Sequence, residues 1–162
     1  VKNQITSGNW VMRGVDRVDT TARQMWFRAS GMNPKQDRYF VHYYRINFDG
    51  SGLTALTEGN GTHTVSFSSN NEFYLDGWSR VDLPPVLQLR RTSDRSVVME
   101  LEKADPSALL ATGWRAPERF VAKGRDGTTD MYGVIVRPTN FDAKKKDPVI
   151  PDSPTAFSGT RL

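Results

Sequence analysis

Between Trp10 and Glu102, apolar and polar positions alternate with a period of two, the spacing of a half-buried β-strand. Trp10 to Val15 is the first such run, and the aromatic-rich Gln24 to Ala29 is the second. Arg38 to Phe48 is the third, with Val41, Tyr43, Arg45 and Asn47 on one side and His42, Tyr44, Ile46 and Phe48 on the other. Asp49-Gly50-Ser51-Gly52 then supplies a hairpin turn, because glycine takes positive φ without steric cost. Leu53 to Thr57 returns as a short fourth strand. The arrangement repeats: His63 to Ser68, Glu72 to Ser79, Val86 to Arg91, a turn at Thr92-Ser93-Asp94-Arg95, and Ser96 to Leu101. Two four-stranded meanders of about fifty residues, each with its polar turn between the third and fourth strands, are the sequence form of two propeller blades.

After Glu102 the pattern changes. Asp105-Pro106-Ser107-Ala108-Leu109-Leu110 reads as a helix start, with Asp105 as N-cap and proline at the first helical position; Gly113 and Pro117 end it quickly. A strand pair follows around Asp126-Gly127, its second strand running from Met131 to Arg137 and stopped by Pro138. A lysine-rich loop leads to a further strand at Pro148-Val149-Ile150. The segment 151–162, with two prolines and several Ser, Thr and Gly, reads as a loop-like tail. The predicted organisation is therefore β blades over 1–104, a junction with a hairpin over 105–150, and the tail.

Several segments resemble the dipeptidyl peptidase IV branch of the prolyl oligopeptidase family. Arg45 to Leu56 is similar to a strand, Asp-Gly-Ser-Gly, strand, Leu-Thr hairpin of its propeller. Gly61-Thr62-His63 followed by Val65-Ser66-Phe67-Ser68 is similar to the glycine-histidine start of the next blade, and Ser79 to Pro85 to its Ser-x-x-Asp-x-Pro-Pro crossing. Phe120 to Ile150 resembles the lead-in to the family's α/β-hydrolase domain. The resemblance implies a mainly β chain: two four-stranded antiparallel propeller-type blades, a short helix, and the first hairpin of a hydrolase domain. It implies a parent serine peptidase that releases N-terminal dipeptides and acts on peptide substrates in the periplasm or outside the cell. Pro151-Asp152-Ser153-Pro154 departs from the family pattern, and the absence of an initiator Met is read as a processed form or fragment.

The chemistry of that family is not carried here. A serine peptidase needs a nucleophile on a strained turn, a histidine base and a carboxylate to orient it. No G-x-S-x-G elbow occurs, and His42 and His63 are the only histidines. A triad drawn from His63, Asp76 and Ser66 is conceivable, but structural histidines are the better reading, so no catalytic residue is assigned. Glu100 and Glu102 alternate on one strand and could mimic a carboxylate pair; a solvated edge is the plainer reading.

Of the four tryptophans, Trp78, between Gly77 and Ser79, looks least strand-like and is the candidate exposed aromatic. Trp78, His63, Glu100 and Glu102 are therefore the candidate partner or substrate surface.

Composition narrows the rest. There is no cysteine, which removes disulfides, thiolate metal sites and cysteine nucleophiles. Two separated histidines and no Asp-x-Asp-x-Asp-Gly loop leave no metal set, and no phosphate-binding fingerprint occurs, so no cofactor is expected. The net charge of +4 is scattered apart from Arg90-Arg91 and Lys144-Lys145-Lys146; without interleaved aromatics the lysine run reads as a solvated loop, and no nucleic-acid partner is expected. No apolar run approaches the roughly 20 residues that span a bilayer, so no membrane partner is expected. Two blades leave open sheet edges, which predicts self-association, strand exchange or a covering segment. A stand-alone β module that holds a peptide is the alternative function.

Overall fold

The computed structural model describes residues 3–146 and 148–150. It holds two four-stranded antiparallel sheets, one hairpin and one short helix. The first sheet runs β1 (Val11–Asp19), β2 (Gln24–Ser30), β3 (Val41–Asn47) and β4 (Thr54–Ala55), in that spatial order. The second repeats the meander with β5 (Thr62–Phe67), β6 (Phe73–Arg80), β7 (Leu83–Arg91) and β8 (Val97–Lys103). The two blades expected from the alternation are thus present. β1 runs four residues beyond Val15, carried past two bulges that bend it around β2. β4 is only two residues long, and β7 begins at Leu83 rather than Val86. Pro84 and Pro85 sit in the first turns of β7 beside the irregular Trp78–Arg80 register, where missing N–H donors cost least.

The repeat is visible in the turns as well as the strands. Asp49 Oδ1 accepts from the Ser51 N–H (2.9 Å) and the Ser51 hydroxyl (2.6 Å). Asp94 Oδ1 accepts from the Ser96 N–H (2.9 Å) and hydroxyl (2.7 Å) in the same place of the second sheet. The residue between takes positive φ in both: Gly50 at 84° and Arg95 at 65°. An Asp-x-Ser turn with a left-handed centre is therefore the shared closing device of the two meanders.

The core sits between the sheets. Inward phase places Trp26 and Tyr43 of the first sheet against Leu56 in the connecting segment and Tyr74 of β6, with Val65 and Phe67 packed alongside. The opposite face of the first sheet buries Phe27, Ala29, Tyr44 and Ile46 under Ile5, Trp10 and Met32. Trp10 stacks on Phe27 and Phe27 on Tyr44, at ring-centroid separations of 5.8 and 5.6 Å. Trp26 of β2 fills the core as aromatics on pleated faces do, whereas Trp114 is left partly exposed. Edge strand β8 is exposed along its whole length.

The helix, α1 (Ser107–Ala111), starts one residue later than its sequence signature: Pro106 is the N-cap. Asp105 still accepts from the Ser107 N–H at 2.9 Å, so its carboxylate acts from one position further out. Gly113, at φ 85°, closes the helix by donating its N–H to Leu110 O at 3.0 Å. β9 (Glu118–Lys123) and β10 (Asp130–Ile135) form the hairpin expected around Asp126-Gly127. It meets the blades through Arg119 on Asp82 (3.2 Å) and Tyr132 edge-on to Tyr39. The strand expected at Pro148-Val149-Ile150 does not form: no partner strand lies beside it among the described residues, and Val149 and Ile150 are almost fully exposed. The expected tail, 151–162, lies outside the described residues.

Candidate functional site

The segment that carries the chain from the first sheet to the second creates the one buried polar centre of note. Leu56 N–H bonds Tyr43 O at 2.8 Å, which pins the start of the crossing, and the Tyr74 hydroxyl of β6 donates to Leu56 O at 2.6 Å. Burial pushes the Tyr74 hydroxyl up to about 12, so it stays a donor. Further on, Gly59 and Gly61 let the chain pass close over β6. A Cβ on Gly59 would lie 2.6 Å from the Trp78 ring, and one on Gly61 would lie 2.5 Å from Ser79 O. Glycine is required at both for close approach rather than for turn geometry.

His63, which opens β5, then points inward. Its Nδ1 lies 2.6 Å from Asp76 Oδ1 and its Nε2 lies 2.8 Å from Gly59 O. Both ring nitrogens face acceptors, so one proton must lie between Nδ1 and Oδ1 while the Nε2–H donates to Gly59. Asp76 is fully buried, and its other oxygen lies 3.4 Å from Arg90 Nε, an ion-pair distance without an aligned hydrogen bond. Arg90 is steadied by Gln88 Oε1 at 3.0 Å and Arg95 O at 3.3 Å. Trp78 stacks on the His63 ring at 5.8 Å.

His42 of β3 meets this cluster from the first sheet, its ring centroid 4.8 Å from that of His63. Gln36 Oε1 lies 2.7 Å from its Nε2 and Thr57 Oγ1 lies 3.2 Å from its Nδ1. Thr57 Oγ1 also accepts from the Tyr43 N–H at 3.1 Å, so its own proton goes to His42 Nδ1. That set suits a neutral ring with hydrogen on Nε2. Burial, with the His63 ring as a second cause, pulls His42 down to about 4.

This His–Asp pair has the form of a base with its orienting carboxylate, but the nitrogen that would face a nucleophile is occupied by the Gly59 carbonyl. Ser66 does not complete a triad. It is three positions from His63 on β5, so strand alternation sends it to the opposite, exposed face. The arrangement can therefore hold two sheets together through a buried hydrogen-bond network, and among the described residues no group is placed beside it to attack a substrate.

The four surface candidates separate. His63 is 2% exposed and both nitrogens are engaged, so its ring is not open to a partner. Trp78 is no exposed aromatic either: it lies inside β6, paired with His63 and Val86 and half-buried by the Gly59 backbone. Glu100 and Glu102 are exposed on edge strand β8, opposite Gln88 and Leu87 and remote from the histidines. Asp76 and Arg90 are the partners the surface reading passed over. Their signal was in the alternation, since Tyr74, Asp76 and Trp78 share one phase of β6 and an inward carboxylate demands a counter-charge. Among the described residues no cluster of side chains could hold a metal ion, and no helix is long and apolar enough to cross a membrane.

Comparison with known proteins agrees with the fold. Residues 1–85 match a family model described as "Dipeptidyl peptidase IV (DPP IV) N-terminal region". The Emericella nidulans protein described as "Probable dipeptidyl-aminopeptidase B" is 28% identical over 151 residues, covering 90% of this chain and 16% of its own length. A protein of the same description from Aspergillus oryzae is likewise 28% identical, over 90% of this chain and 16% of its own. The crystal structure of Porphyromonas gingivalis dipeptidyl peptidase 4 superposes with a TM-score of 0.64 at 25% identity, over 86% of this chain and 19% of that one. The chain thus spans less than a fifth of the length of each of these relatives.

Proposed function

The chain belongs to the dipeptidyl peptidase IV (DPP IV) N-terminal region family, and from that membership we propose that it is a non-catalytic piece of a dipeptidyl-peptidase-like serine peptidase. It supplies two propeller blades, residues 1–104, and a junction over 105–150 that leads toward a hydrolase domain. The parent protein would release N-terminal dipeptides from peptide substrates. The carrying observation is the buried cluster: the one His–Asp pair is closed off by the Gly59 carbonyl and serves the contact between blades.

Open edges at β1 and β8 support self-association as the partner mode of the isolated chain, since each edge leaves backbone N–H and C=O groups unpaired. Exposed Val97, Met99 and Leu101 on β8 favour the same outcome. The test of the function is direct. The purified chain, incubated with a glycyl-prolyl chromogenic substrate and with a serine-reactive fluorophosphonate, should neither turn over the first nor be labelled by the second. Turnover that follows the chain through successive purification steps would overturn the reading. Size-exclusion chromatography separates the partner modes: dimers or larger species support edge pairing, and a sharp monomer peak refutes it.

A further inference from the structure

Among the described residues no backbone ladder joins the two sheets. Apart from the covalent crossing, side chains close the seam, and β3 and β5 bring the sheets together across it. Trp26, Tyr43, Leu56 and Tyr74 supply the apolar contact. The Tyr74 hydroxyl on Leu56 O and the facing rings of His42 and His63 supply the polar one. Each histidine is held by its own sheet: His42 pairs with Ala29 of β2, and His63 with Trp78 of β6. The rings can therefore part without breaking a strand pair. Only one of them has a counter-charge. His63 has the Asp76 carboxylate at 2.6 Å, backed in turn by Arg90. His42, 4% exposed, has none beside it. On its own strand it meets the Tyr44 ring at 6.5 Å, and across β2 it meets Ala29. The segment before β3 brings the neutral Gln36 amide, with Lys35 and Arg38 exposed and Asp37 accepting from the Tyr39 N–H. The crossing brings Thr57, with Glu58 exposed beyond it. The second sheet brings the His63 ring, with Asp76 and then Arg90 behind. A proton added at His42 Nδ1 would make both ring nitrogens donors and turn the Thr57 hydroxyl hydrogen away. It would also bury a cation 4.8 Å from a second imidazole. Burial, then the His63 ring, holds His42 down to about 4 in the closed seam, against 6.5 as its ordinary value.

We propose that the seam between the blades is an acid-released latch: protonation of His42 parts the two sheets while each keeps its own strand pairing. The closed seam binds fewer protons than the open one, so closure is fullest above pH 6.5 and is lost as pH falls toward 4. Between those limits the opening constant rises about twentyfold from pH 7 to pH 5. Opening uncovers Trp26, Tyr43, Leu56 and Tyr74 and leaves the opposite face of the first sheet closed over Phe27 and Ala29. The latch differs from acid unfolding in that both sheets survive it. It does not depend on the non-catalytic reading, since parting the blades requires no peptidase activity.

The test uses thiol labelling, because the chain has no cysteine of its own. Leu56→Cys places a thiol in the seam, and Ala29→Cys places one on the opposite face of the first sheet. Labelling by a methanethiosulfonate, corrected for thiolate fraction with a free peptide, gives the opening constant of each thiol at pH 7 and pH 5. Urea titration of the same variant gives its unfolding constant. The Leu56→Cys thiol should open about tenfold or more above the unfolding constant of its own variant, since the seam opens short of global unfolding. Its opening constant should be about twentyfold higher at pH 5 than at pH 7. The Ala29→Cys thiol should open only as often as its variant unfolds. Adding His42→Gln to Leu56→Cys should hold the opening constant within about twofold over that pH range, because glutamine does not titrate. In the unaltered chain, ring-nitrogen shifts of isotope-labelled histidine should show His42 still neutral, with hydrogen on Nε2, at about pH 5.5. Seam opening no more frequent than unfolding, a pH response that survives His42→Gln, or a His42 ring that titrates near 6.5 in the folded chain would each overturn the proposal.

Discussion

Replacing Asp76 with alanine is the sharpest test of the buried network. The carboxylate sits between His63 Nδ1 at 2.6 Å and Arg90 Nε at 3.4 Å, with no solvent exposure. At an effective dielectric of about 20, an ion pair at the Arg90 distance is worth about 5 kcal/mol of Coulomb energy, much of it offset by desolvation. Truncation removes the attraction but leaves the desolvated guanidinium, a change that typically costs about 3–5 kcal/mol. Arg90 keeps Gln88 Oε1 and Arg95 O as partners, which places the expectation near the lower end, about 3 kcal/mol. Against a total stability of about 5–15 kcal/mol, that is a large fraction. Urea unfolding followed by tryptophan fluorescence should show the midpoint falling by about 1.5–2 M at unchanged slope. Adding His63→Ala should reveal a coupling of about 1 kcal/mol or more, because the two buried side chains are in direct hydrogen-bond contact at 2.6 Å. A loss below about 1 kcal/mol for Asp76→Ala, or strict additivity in the double variant, would refute the reasoning.

Other outcomes follow from single groups. His42 is held down to about 4 in the folded chain against 6.5 as its ordinary value. The unfolded chain therefore binds more protons between those values, and the stability tied to neutral His42 is complete above pH 6.5 and lost as pH falls toward 4. His42→Gln should flatten that part of the stability–pH curve, measured by urea titrations at stepped pH. Arg95 holds φ 65° where the equivalent position of the first sheet has Gly50, so Arg95→Gly should raise stability by about 0.5 kcal/mol, read from the thermal midpoint. Arg119→Ala should speed hydrogen exchange in β9 and β10 severalfold while leaving the unfolding free energy of the blades within about 0.5 kcal/mol, since the partly exposed Arg119–Asp82 pair at 3.2 Å is the hairpin's main polar tie.

The fold was legible wherever local rules and burial agree. The strands were marked by their β-prone aromatic and branched residues, although the central strands of the first sheet bury residues on both faces, and the Asp-x-Ser turns marked the third hairpins because their hydrogen bonds are local. It failed where a strand depends on a neighbour: Pro148 to Ile150 has strand-like residues and no partner strand among the described residues, whereas β1 extends past its alternating part because β2 pairs with it through two bulges. The site was half legible. Asp76 was weighed beside His63 only within a conceivable triad with Ser66, and its ion pair with Arg90 was not read at all. Trp78 misled because glycine and serine beside it weaken strand propensity, and only the crossing of Gly59 and Gly61 over its ring shows what covers it. The meeting of His42 with His63 joins strands from different sheets, a contact that no local pattern encodes.

The most direct measurement for the central claim is the peptidase assay on the purified chain, run beside a Ser66→Ala variant. A non-catalytic piece predicts no release of chromophore from the glycyl-prolyl substrate and no fluorophosphonate labelling in either protein. Turnover that copurifies with the chain and disappears in Ser66→Ala would contradict it, and would mean that the exposed Ser66 and the buried His63 come together in some other arrangement of β5.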